Sequence, residues 1–161
     1  MGRKEVTKAL TEAVSHYFVH KMYAVFHEFG VGRRGERRLD VMCLHTGLSV
    51  VGIEVKSCKA DYAADKKWME YLAYTNKLYL ALPPSMIESP FYEKILADIT
   101  PHGIGVMTLA PTGYMMVVKP AKSRDVDDLV IGKLLVKMAW RGGLSRRNVQ
   151  RRKRIYLEGM K

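Results

Sequence analysis

Cysteine is scarce in this sequence, and its scarcity argues against two common kinds of small protein. Cys43 and Cys58 are the only cysteines in 161 residues, and neither lies in a Cys-x-x-Cys or Cys/His spacing. A disulfide-built scaffold and a structural zinc site are therefore not expected. Cys43 falls in an apolar stretch and is predicted to be a small core residue. A reducing cytoplasm is the setting that we expect for the protein.

Long apolar runs are also missing. No stretch approaches the roughly 20 apolar residues that a membrane-spanning helix needs, so we expect no membrane partner. No internal repeat or low-complexity segment is visible either. Hydrophobic residues nevertheless make up 48% of the chain, which is enough for one buried α/β core at this length.

Acidic residues are few relative to basic ones. The chain has 16 Asp and Glu against 27 Lys and Arg, which gives a formal net charge of +11. Such an excess favours a polyanionic partner, because each phosphate that a protein neutralises releases condensed counterions. Nucleic acid is the leading candidate. The alternative is a basic protein whose charge only keeps it in solution.

Hydrophobic periodicity divides the chain into helices and strands. Apolar residues at three- and four-residue spacing predict helices, and apolar or aromatic runs between turn residues predict strands. Asp61 is predicted to cap a single helix that runs to Tyr74. The order of helix, three strands, helix and strand predicts an α/β fold with a mixed central sheet. The predicted helices cover 4–20, 61–74, 89–99 and 127–140, and the strands cover 22–29, 37–44, 49–56, 78–82, 105–109 and 114–119.

The most informative residues are Asp40 and the strand segment Glu54-Val55-Lys56. Because side chains alternate along a strand, Glu54 and Lys56 share one face while Val55 lies on the other. Asp40, on the preceding strand, can approach Glu54 across the pair. Two close carboxylates repel each other unless a cation is present, and Mg²⁺ prefers oxygen ligands and also binds phosphate. The alternative is an ordinary solvated ion pair on a strand face.

These residues resemble the PD-(D/E)XK nuclease superfamily. The segments 37–40, 53–57 and 61–71 more closely resemble the MmcB family of DNA repair proteins, and the likeness continues at 80–84 and 109–111. The resemblance covers residues 5–140. It implies a restriction-endonuclease-like α/β core with a C-terminal helix, and a nuclease that cleaves DNA with Mg²⁺ or Mn²⁺.

The resemblance also assigns roles to single residues. It implies that Asp40, Glu54 and Val55 bind the metal and that Lys56 serves catalysis. Many members of the superfamily add an acidic residue from the first helix, and Glu12 is the best match to it, with Glu5 as the alternative. Many small members also pair to cut both strands, so a homodimer is a further expectation.

The chain departs from the wider pattern at two positions. Leu39 stands where the motif has proline, and Lys67 stands where related exonucleases have glutamine in a Gln-x-x-x-Tyr pattern completed here by Tyr71. On a helix Lys67 and Tyr71 would share a face and could contact a phosphate. The alternative is a packed tyrosine and a solvated lysine.

Basic residues cluster at two further places. Arg33, Arg34, Arg37 and Arg38 follow a turn next to Asp40 and are predicted to position phosphates. Together with Lys59, Lys67 and Tyr71 they form the predicted nucleic-acid-binding set, and the alternative for the arginines is a solubilising charged loop. The segment 145–154 is denser in charge and is predicted to be an electrostatic arm, or else a short helix against a partner.

The sequence thus predicts a nuclease-like domain over 1–140 and a basic tail over 141–161. The leading hypothesis is a Mg²⁺-dependent DNA nuclease in DNA repair or processing. Two alternatives from other classes stay open. One is a nucleic-acid-binding module that kept the fold without cutting, and the other is a small inhibitor, of viral origin for example, that blocks a nucleic-acid enzyme.

Overall fold

One mixed sheet of six strands forms the centre of the computed structural model, which describes residues 2–143. The first three strands run antiparallel, the third to fifth run parallel, and the sixth returns antiparallel to the fifth. The predicted meander and the predicted hairpin are confirmed. In order across the sheet the strands are β1 (Tyr23–Val31), β2 (Arg37–His45), β3 (Val50–Val55), β4 (Lys77–Ala81), β5 (Gly105–Leu109) and β6 (Met115–Lys119).

Within residues 2–143, five α-helices and three 3₁₀ segments precede, connect or follow the strands. The helices are α1 (Arg3–His20), α2 (Lys59–Ala64), α3 (Pro84–Ile87), α4 (Phe91–Ile99) and α5 (Asp128–Gly142), and the 3₁₀ segments are Arg33–Gly35, Lys67–Tyr74 and Thr100–His102. The short α3 was not predicted. It begins at Pro84, whose fixed φ suits the first position of a helix.

One cluster of the core lies between α1 and one face of the sheet. Leu10, Val14 and Phe18 recur every four residues, so they form one buried stripe along α1. This stripe packs against the β2 and β3 side chains that include Val41 and Ile53. Every residue of β3 is buried, because the strand is central and covered on both faces. A charged side chain on this strand therefore needs partners within the protein.

The prediction of a single helix over 61–74 is wrong. The helix α2 begins at Lys59, with Cys58 at the N-cap, and it ends where Asp65 adopts extended φ and ψ angles of −132° and 107°. Asp65 Oδ1 accepts a hydrogen bond from the Lys67 N–H at 2.9 Å. Such a local bond offers the main chain an alternative to the helical pattern. The chain then continues as the 3₁₀ helix Lys67–Tyr74.

Contacts divide the chain into two units at Val126. The first unit contains the sheet and α1 to α4, and the second contains α5, whose N-cap Asp127 accepts a hydrogen bond from the Leu129 N–H. The predicted boundary at residue 140 stays a prediction, and the predicted basic arm over 145–154 lies outside the described residues. Within residues 2–143, no helix is both long and apolar enough to cross a bilayer.

Candidate functional site

An open pocket of about 260 Å³ lies where β3 ends. Its walls come from β2, β3, the first turns of α1 and the segment that runs from α2 into the following 3₁₀ helix. Charged and polar side chains dominate these walls, so the pocket suits a charged ligand. The lining residues are Arg3, Thr7, Arg38, Asp40, Glu54, Val55, Lys56, Asp61, Asp65 and Tyr71.

Asp40 and Glu54 bond to each other's strands across the pocket floor. The β2–β3 ladder ends at the pair Val41 and Ile53. Beyond it the Asp40 N–H donates to Glu54 Oε1 at 3.3 Å, and the Val55 N–H donates to Asp40 Oδ2 at 2.8 Å. Carboxylate oxygens thus replace main-chain carbonyls as the acceptors, which fixes both acids at the end of the ladder.

The pairing of β2 with β1, on the other side of Asp40, is irregular as well. The β1–β2 register passes from the pair His27 and Val41 to the pair Phe29 and Leu39, without a pair between Glu28 and Asp40. Glu28 has a φ of 48°, a left-handed conformation that interrupts regular pairing.

Lys56 extends from the same face of the sheet as Glu54 and is only 3% exposed. Its Nζ donates to Asp65 Oδ2 at 3.0 Å and lies 3.8 Å from Glu54 Oε2. The shorter contact is a charge-assisted hydrogen bond, whereas the longer one is an ion pair beyond hydrogen-bond length. Asp65 is therefore the principal partner of the buried ammonium.

The acids on the pocket floor hold their protons unusually strongly. Burial raises the pKa of Glu54 above its ordinary value, and the nearby Asp40 carboxylate raises it further. Burial also raises the pKa of Asp40, although the hydrogen bond from Val55 opposes this. Burial acts in the same direction on Asp65, but hydrogen bonds from Lys67 and Lys56 outweigh it and lower the pKa of that carboxyl. Positive charge is thus in short supply beside Asp40 and Glu54.

The donor set beside Asp40 suits a hard divalent cation. The Lys56 N–H donates to the Ala81 carbonyl of β4 at 3.0 Å. In a trans peptide the preceding carbonyl points the opposite way, so the Val55 carbonyl points toward the β2 side of β3. Two carboxylates and one carbonyl are oxygen ligands of the kind Mg²⁺ prefers, with waters completing its shell. Within residues 2–143, no three or more His, Cys, Asp or Glu side chains lie close enough together to hold a metal ion by themselves.

The rim of the pocket carries arginines and a tyrosine. The Tyr71 hydroxyl donates to the Arg38 carbonyl at 2.8 Å, which ties the 3₁₀ helix to β2. Arg3 of α1 forms an ion pair with Asp61 at 2.6 Å. The other oxygen of Asp61 accepts hydrogen bonds from the Ser57 N–H and hydroxyl at 3.0 and 3.1 Å. The first turn of α1 and the start of α2 are thereby joined beside the pocket.

Comparison with known proteins identifies the family. The profile of the MmcB-like DNA repair protein family matches residues 1–125. The chain belongs to the MmcB-like DNA repair protein family. The match includes every residue that lines the pocket. No curated protein matches the chain.

Solved structures share the fold of this MmcB-like protein. A protein of unknown function from Silicibacter pomeroyi matches with a TM-score of 0.70 and 26% identity, over 90% of this chain and 89% of that one. An fdxN element excision controlling factor protein from Anabaena variabilis matches with a TM-score of 0.50 and 15% identity, over 68% of this chain and 96% of that one. The predicted α/β core with a mixed central sheet, in the order helix, three strands, helix and strand, is confirmed.

Some of the residues predicted for the site line the pocket. They include the three side chains on which the sequence hypothesis depends, and their roles stay predictions. The full set is Asp40, Glu54, Val55, Lys56, Arg38 and Tyr71.

Other predicted residues lie elsewhere. Glu12 is exposed and forms an ion pair with Lys8 at 3.9 Å. It is five residues beyond Thr7, so it lies about 140° around the helix from the residue that lines the pocket. Glu5, the alternative, accepts a hydrogen bond from the Gly2 N–H at the start of α1. The structure brings neither acid into the cluster on the pocket floor.

The remaining basic residues do not line the pocket either. Arg33 and Arg34 are exposed in the turn between β1 and β2. Arg37 forms an ion pair with Glu70. The Lys59 ammonium lies 5.6 Å from the centre of a phenylalanine ring on α4. These positions leave the arginine turn as a basic surface beside β2 and direct Lys59 toward α4.

The expectation that Lys67 and Tyr71 share a helical face is wrong. In the 3₁₀ helix, side chains three residues apart lie on the same face, so Tyr71 lies with Trp68 instead. Both aromatic residues are buried, and Lys67 is exposed. The Tyr71 ring is packed, as the alternative interpretation predicted, although the Tyr71 side chain still lines the pocket.

Four pocket residues were not singled out from the sequence in these roles: Arg3, Thr7, Asp61 and Asp65. Asp61 and Asp65 lie within the segment 61–71 that resembles the family, but a continuous helix would have turned both toward one side. The signal that was available is Asp65 two residues before Lys67, the spacing of an Asx turn. No local pattern marks Arg3 or Thr7, because their place depends on how α1 packs.

Proposed function

We propose that this protein is a DNA nuclease dependent on Mg²⁺ or Mn²⁺ that acts in DNA repair or processing. The observation that carries the proposal is the pair of acids formed by half-buried Asp40 and buried Glu54, next to Lys56, in an open pocket. Membership of a DNA repair family supports DNA as the substrate. The formal charge of +11 supports the same class of partner.

The residues on the pocket floor fit a metal-binding role. Asp40 and Glu54 would hold the ion with the Val55 carbonyl, since burial and mutual repulsion leave these acids in need of positive charge. A bound divalent ion would supply Lewis-acid activation of a phosphate and a water of lowered pKa. Asp40 is fixed by the Val55 N–H, which keeps one oxygen aligned along the strand end.

Lys56 is placed to act on the phosphate or on the attacking water. Its ammonium has three N–H donors, and one of them is held by Asp65. The others can stabilise a phosphate oxygen as negative charge develops, or orient a water beside it. Exclusion of solvent around the buried lysine strengthens these interactions.

DNA would be held at the rim. Arg38 lines the pocket and is partly occupied by an exposed pair with Glu28 at 3.7 Å. Arg3 is likewise exposed and paired with an acid. The exposed pair of Arg38 with Glu28 contributes little to stability, so a phosphate can replace Glu28 at small cost. Arg33 and Arg34 extend the basic surface along the turn before β2.

A cleavage panel tests the proposal. Linear, nicked, flapped, branched and single-stranded DNA are incubated with Mg²⁺, with Mn²⁺ and with chelator. We expect cleavage with metal, none with chelator, and a loss of about 100-fold or more for Lys56→Ala. The matched control is Lys94→Ala, which removes a surface lysine paired with Asp98 at 3.4 Å and should leave the rate unchanged.

A non-cleaving DNA-binding module is the second candidate. It is favoured because no group of three or more His, Cys, Asp or Glu side chains placed to hold a metal ion occurs within residues 2–143. Such a module would bind DNA equally well before and after Lys56→Ala and would cleave no substrate of the panel. Absence of metal-stimulated cleavage on all substrates, with DNA binding retained, would overturn the nuclease proposal in its favour.

A further inference from the structure

We propose that Asp65 is a positioning residue that holds the Lys56 ammonium away from the Asp40–Glu54 pair and so keeps that pair available to a cation. The inference rests on the proposed function, because it assigns a role within the same site. It concerns a residue outside the acids and the lysine on which that function depends.

The distances around Lys56 show a choice between two acids. Nζ lies 3.0 Å from Asp65 Oδ2 and 3.8 Å from Glu54 Oε2, so the ammonium is drawn toward Asp65. Lys56 and Glu54 are both almost fully buried, at 3% and 4% exposure. Without Asp65, the nearest anion to the ammonium would be Glu54. A direct buried pair would then neutralise the carboxylate and compete with a metal ion for it.

The main chain around Asp65 is shaped for this contact. The helix α2 stops one residue earlier, and Asp65 takes up extended backbone angles rather than helical ones. Its two oxygens have separate partners, with Oδ1 accepting from the Lys67 N–H and Oδ2 accepting from Lys56. The first bond fixes the rotation of the carboxylate, so the second oxygen is directed at the ammonium. This arrangement gives up helical hydrogen bonds at the pocket and thereby places an acid there.

The test compares Asp65→Asn and Asp65→Glu in the full chain. Asparagine can still accept from the Lys67 N–H, but it removes the charge that holds Lys56. We expect kcat for Asp65→Asn to fall about 10- to 100-fold, as for other outer partners of metal sites, with KM for DNA changed less than about twofold. Asp65→Glu restores the charge at slightly longer reach and should recover part of kcat. The matched control is Asp98→Asn, since Asp98 also accepts from a lysine, Lys94, and does not line the pocket.

Two measurements without DNA separate this inference from the nuclease proposal. Mn²⁺ affinity, titrated by electron paramagnetic resonance, should fall about 10-fold in Asp65→Asn and less in Asp65→Glu. The ¹⁵N ammonium signal of Lys56 should change its chemical shift in Asp65→Asn, because the ammonium then pairs with Glu54 in place of Asp65. A folded Asp65→Asn protein that keeps both the wild-type Mn²⁺ affinity and the wild-type chemical shift of the Lys56 ammonium would overturn the inference. If the wild-type protein cleaves no DNA while Asp65→Asn still shows both changes, the nuclease proposal alone is overturned.

Discussion

Glu54 illustrates at the scale of a single residue how a site can oppose stability. The side chain is 4% exposed and its carboxylate faces Asp40 across the strand end. Lys56 supplies one positive charge, but that charge is directed mainly to Asp65. A buried acid that lies beside a second carboxylate with too little counter-charge destabilises the folded protein without metal, and such groups are retained at functional sites.

Neutralising Glu54 should therefore stabilise the protein without metal. The amide oxygen introduced by Glu54→Gln can still accept from the Asp40 N–H, and Lys56 keeps its bond to Asp65. We expect the free energy of unfolding near pH 8 to rise by about 1–2 kcal/mol, measured by urea denaturation. Mg²⁺ should no longer stabilise the variant. The control is Glu93→Gln, at an exposed position. A decrease in the free energy of unfolding of Glu54→Gln, in place of the expected increase, would contradict the prediction.

The raised pKa values also predict how stability depends on pH. The pKa of Glu54 is raised by burial, and then by Asp40, from an ordinary 4.5 to about 8, and the pKa of Asp40 is raised by burial as well. Across this window the folded chain binds more protons than the unfolded chain, so stability falls as the pH rises. Asp65, whose pKa is lowered, stays ionised throughout and contributes no slope there.

Thermal unfolding checks this dependence. Without metal, Tm should be lower at about pH 8.5 than at about pH 5.5, and added Mg²⁺ should raise it more at the higher pH because metal ligands must be deprotonated. In Glu54→Gln the fall should be much smaller. A Tm that rises over this range in the metal-free wild type would contradict the assignment of unneutralised acids at the pocket floor.

Sequence reasoning reached some of these residues and not others for a physical reason. The shared face of Glu54 and Lys56 follows from the two-residue period of a strand, and the approach of Asp40 follows from antiparallel pairing. Asp65 acts through a main-chain break, and its contact with Lys56 joins two elements that no local pattern relates. Arg3 depends in the same way on the packing of α1.

At the scale of elements, the segment after β3 decides the shape of the pocket. Over so short a length, the spacing of its apolar residues cannot distinguish an α-helix from a 3₁₀ helix. Periodicity in the sequence therefore predicted one long α-helix. The 3₁₀ geometry instead buries Trp68 and Tyr71 on one face and leaves Lys67 outside. The sheet and α1 were predicted within one or two residues in most places, because their patterns are long and regular.

Gly52 lets this segment lie against the sheet. A Cβ at Gly52 would come within 2.7 Å of Leu39 Cδ2 and 2.8 Å of Thr75 Cγ2, so alanine would force β2 and the end of the 3₁₀ helix apart. We expect Gly52→Ala to lower the free energy of unfolding by about 1–3 kcal/mol, measured by urea denaturation, and to reduce cleavage because the pocket walls shift.

A second glycine provides the control for that prediction. Gly132 lies within α5, and a Cβ there would meet nothing within 4 Å. Gly132→Ala should therefore stabilise the protein by about 0.5–1 kcal/mol through helix propensity. If both substitutions changed the free energy of unfolding equally, the close contacts at Gly52 would not limit packing.

At the scale of the whole molecule, positive charge is divided unevenly along the chain. Seven of the 27 basic residues and one of the 16 acidic residues follow Gly143, so residues 1–143 carry a formal charge of +5 out of +11. The acids and the lysine of the pocket all lie before residue 127, in the first unit. DNA affinity and cleavage chemistry are thus expected to depend on different parts of the sequence.

Salt dependence of DNA binding can separate these two contributions. Each phosphate contact contributes about 0.9 to the slope of log affinity against log salt for duplex DNA. Replacing Arg146, Arg147, Arg151, Arg152 and Arg154 with glutamine in the full chain should weaken binding and reduce that slope by several units if these arginines contact phosphates. The rate of cleavage at saturating DNA should stay the same, since the change leaves the pocket residues intact.

The matched variant is the double substitution Arg33→Gln and Arg34→Gln, in the exposed turn before β2. It removes two charges rather than five, so we expect its slope to fall by at most about two units. Arg38→Ala, at the pocket rim, should lower the rate as well as the affinity because Arg38 would position the phosphate that is cut. An unchanged slope in the five-arginine variant would show that the basic tail does not contact DNA, and would leave the surface around β2 as the binding face.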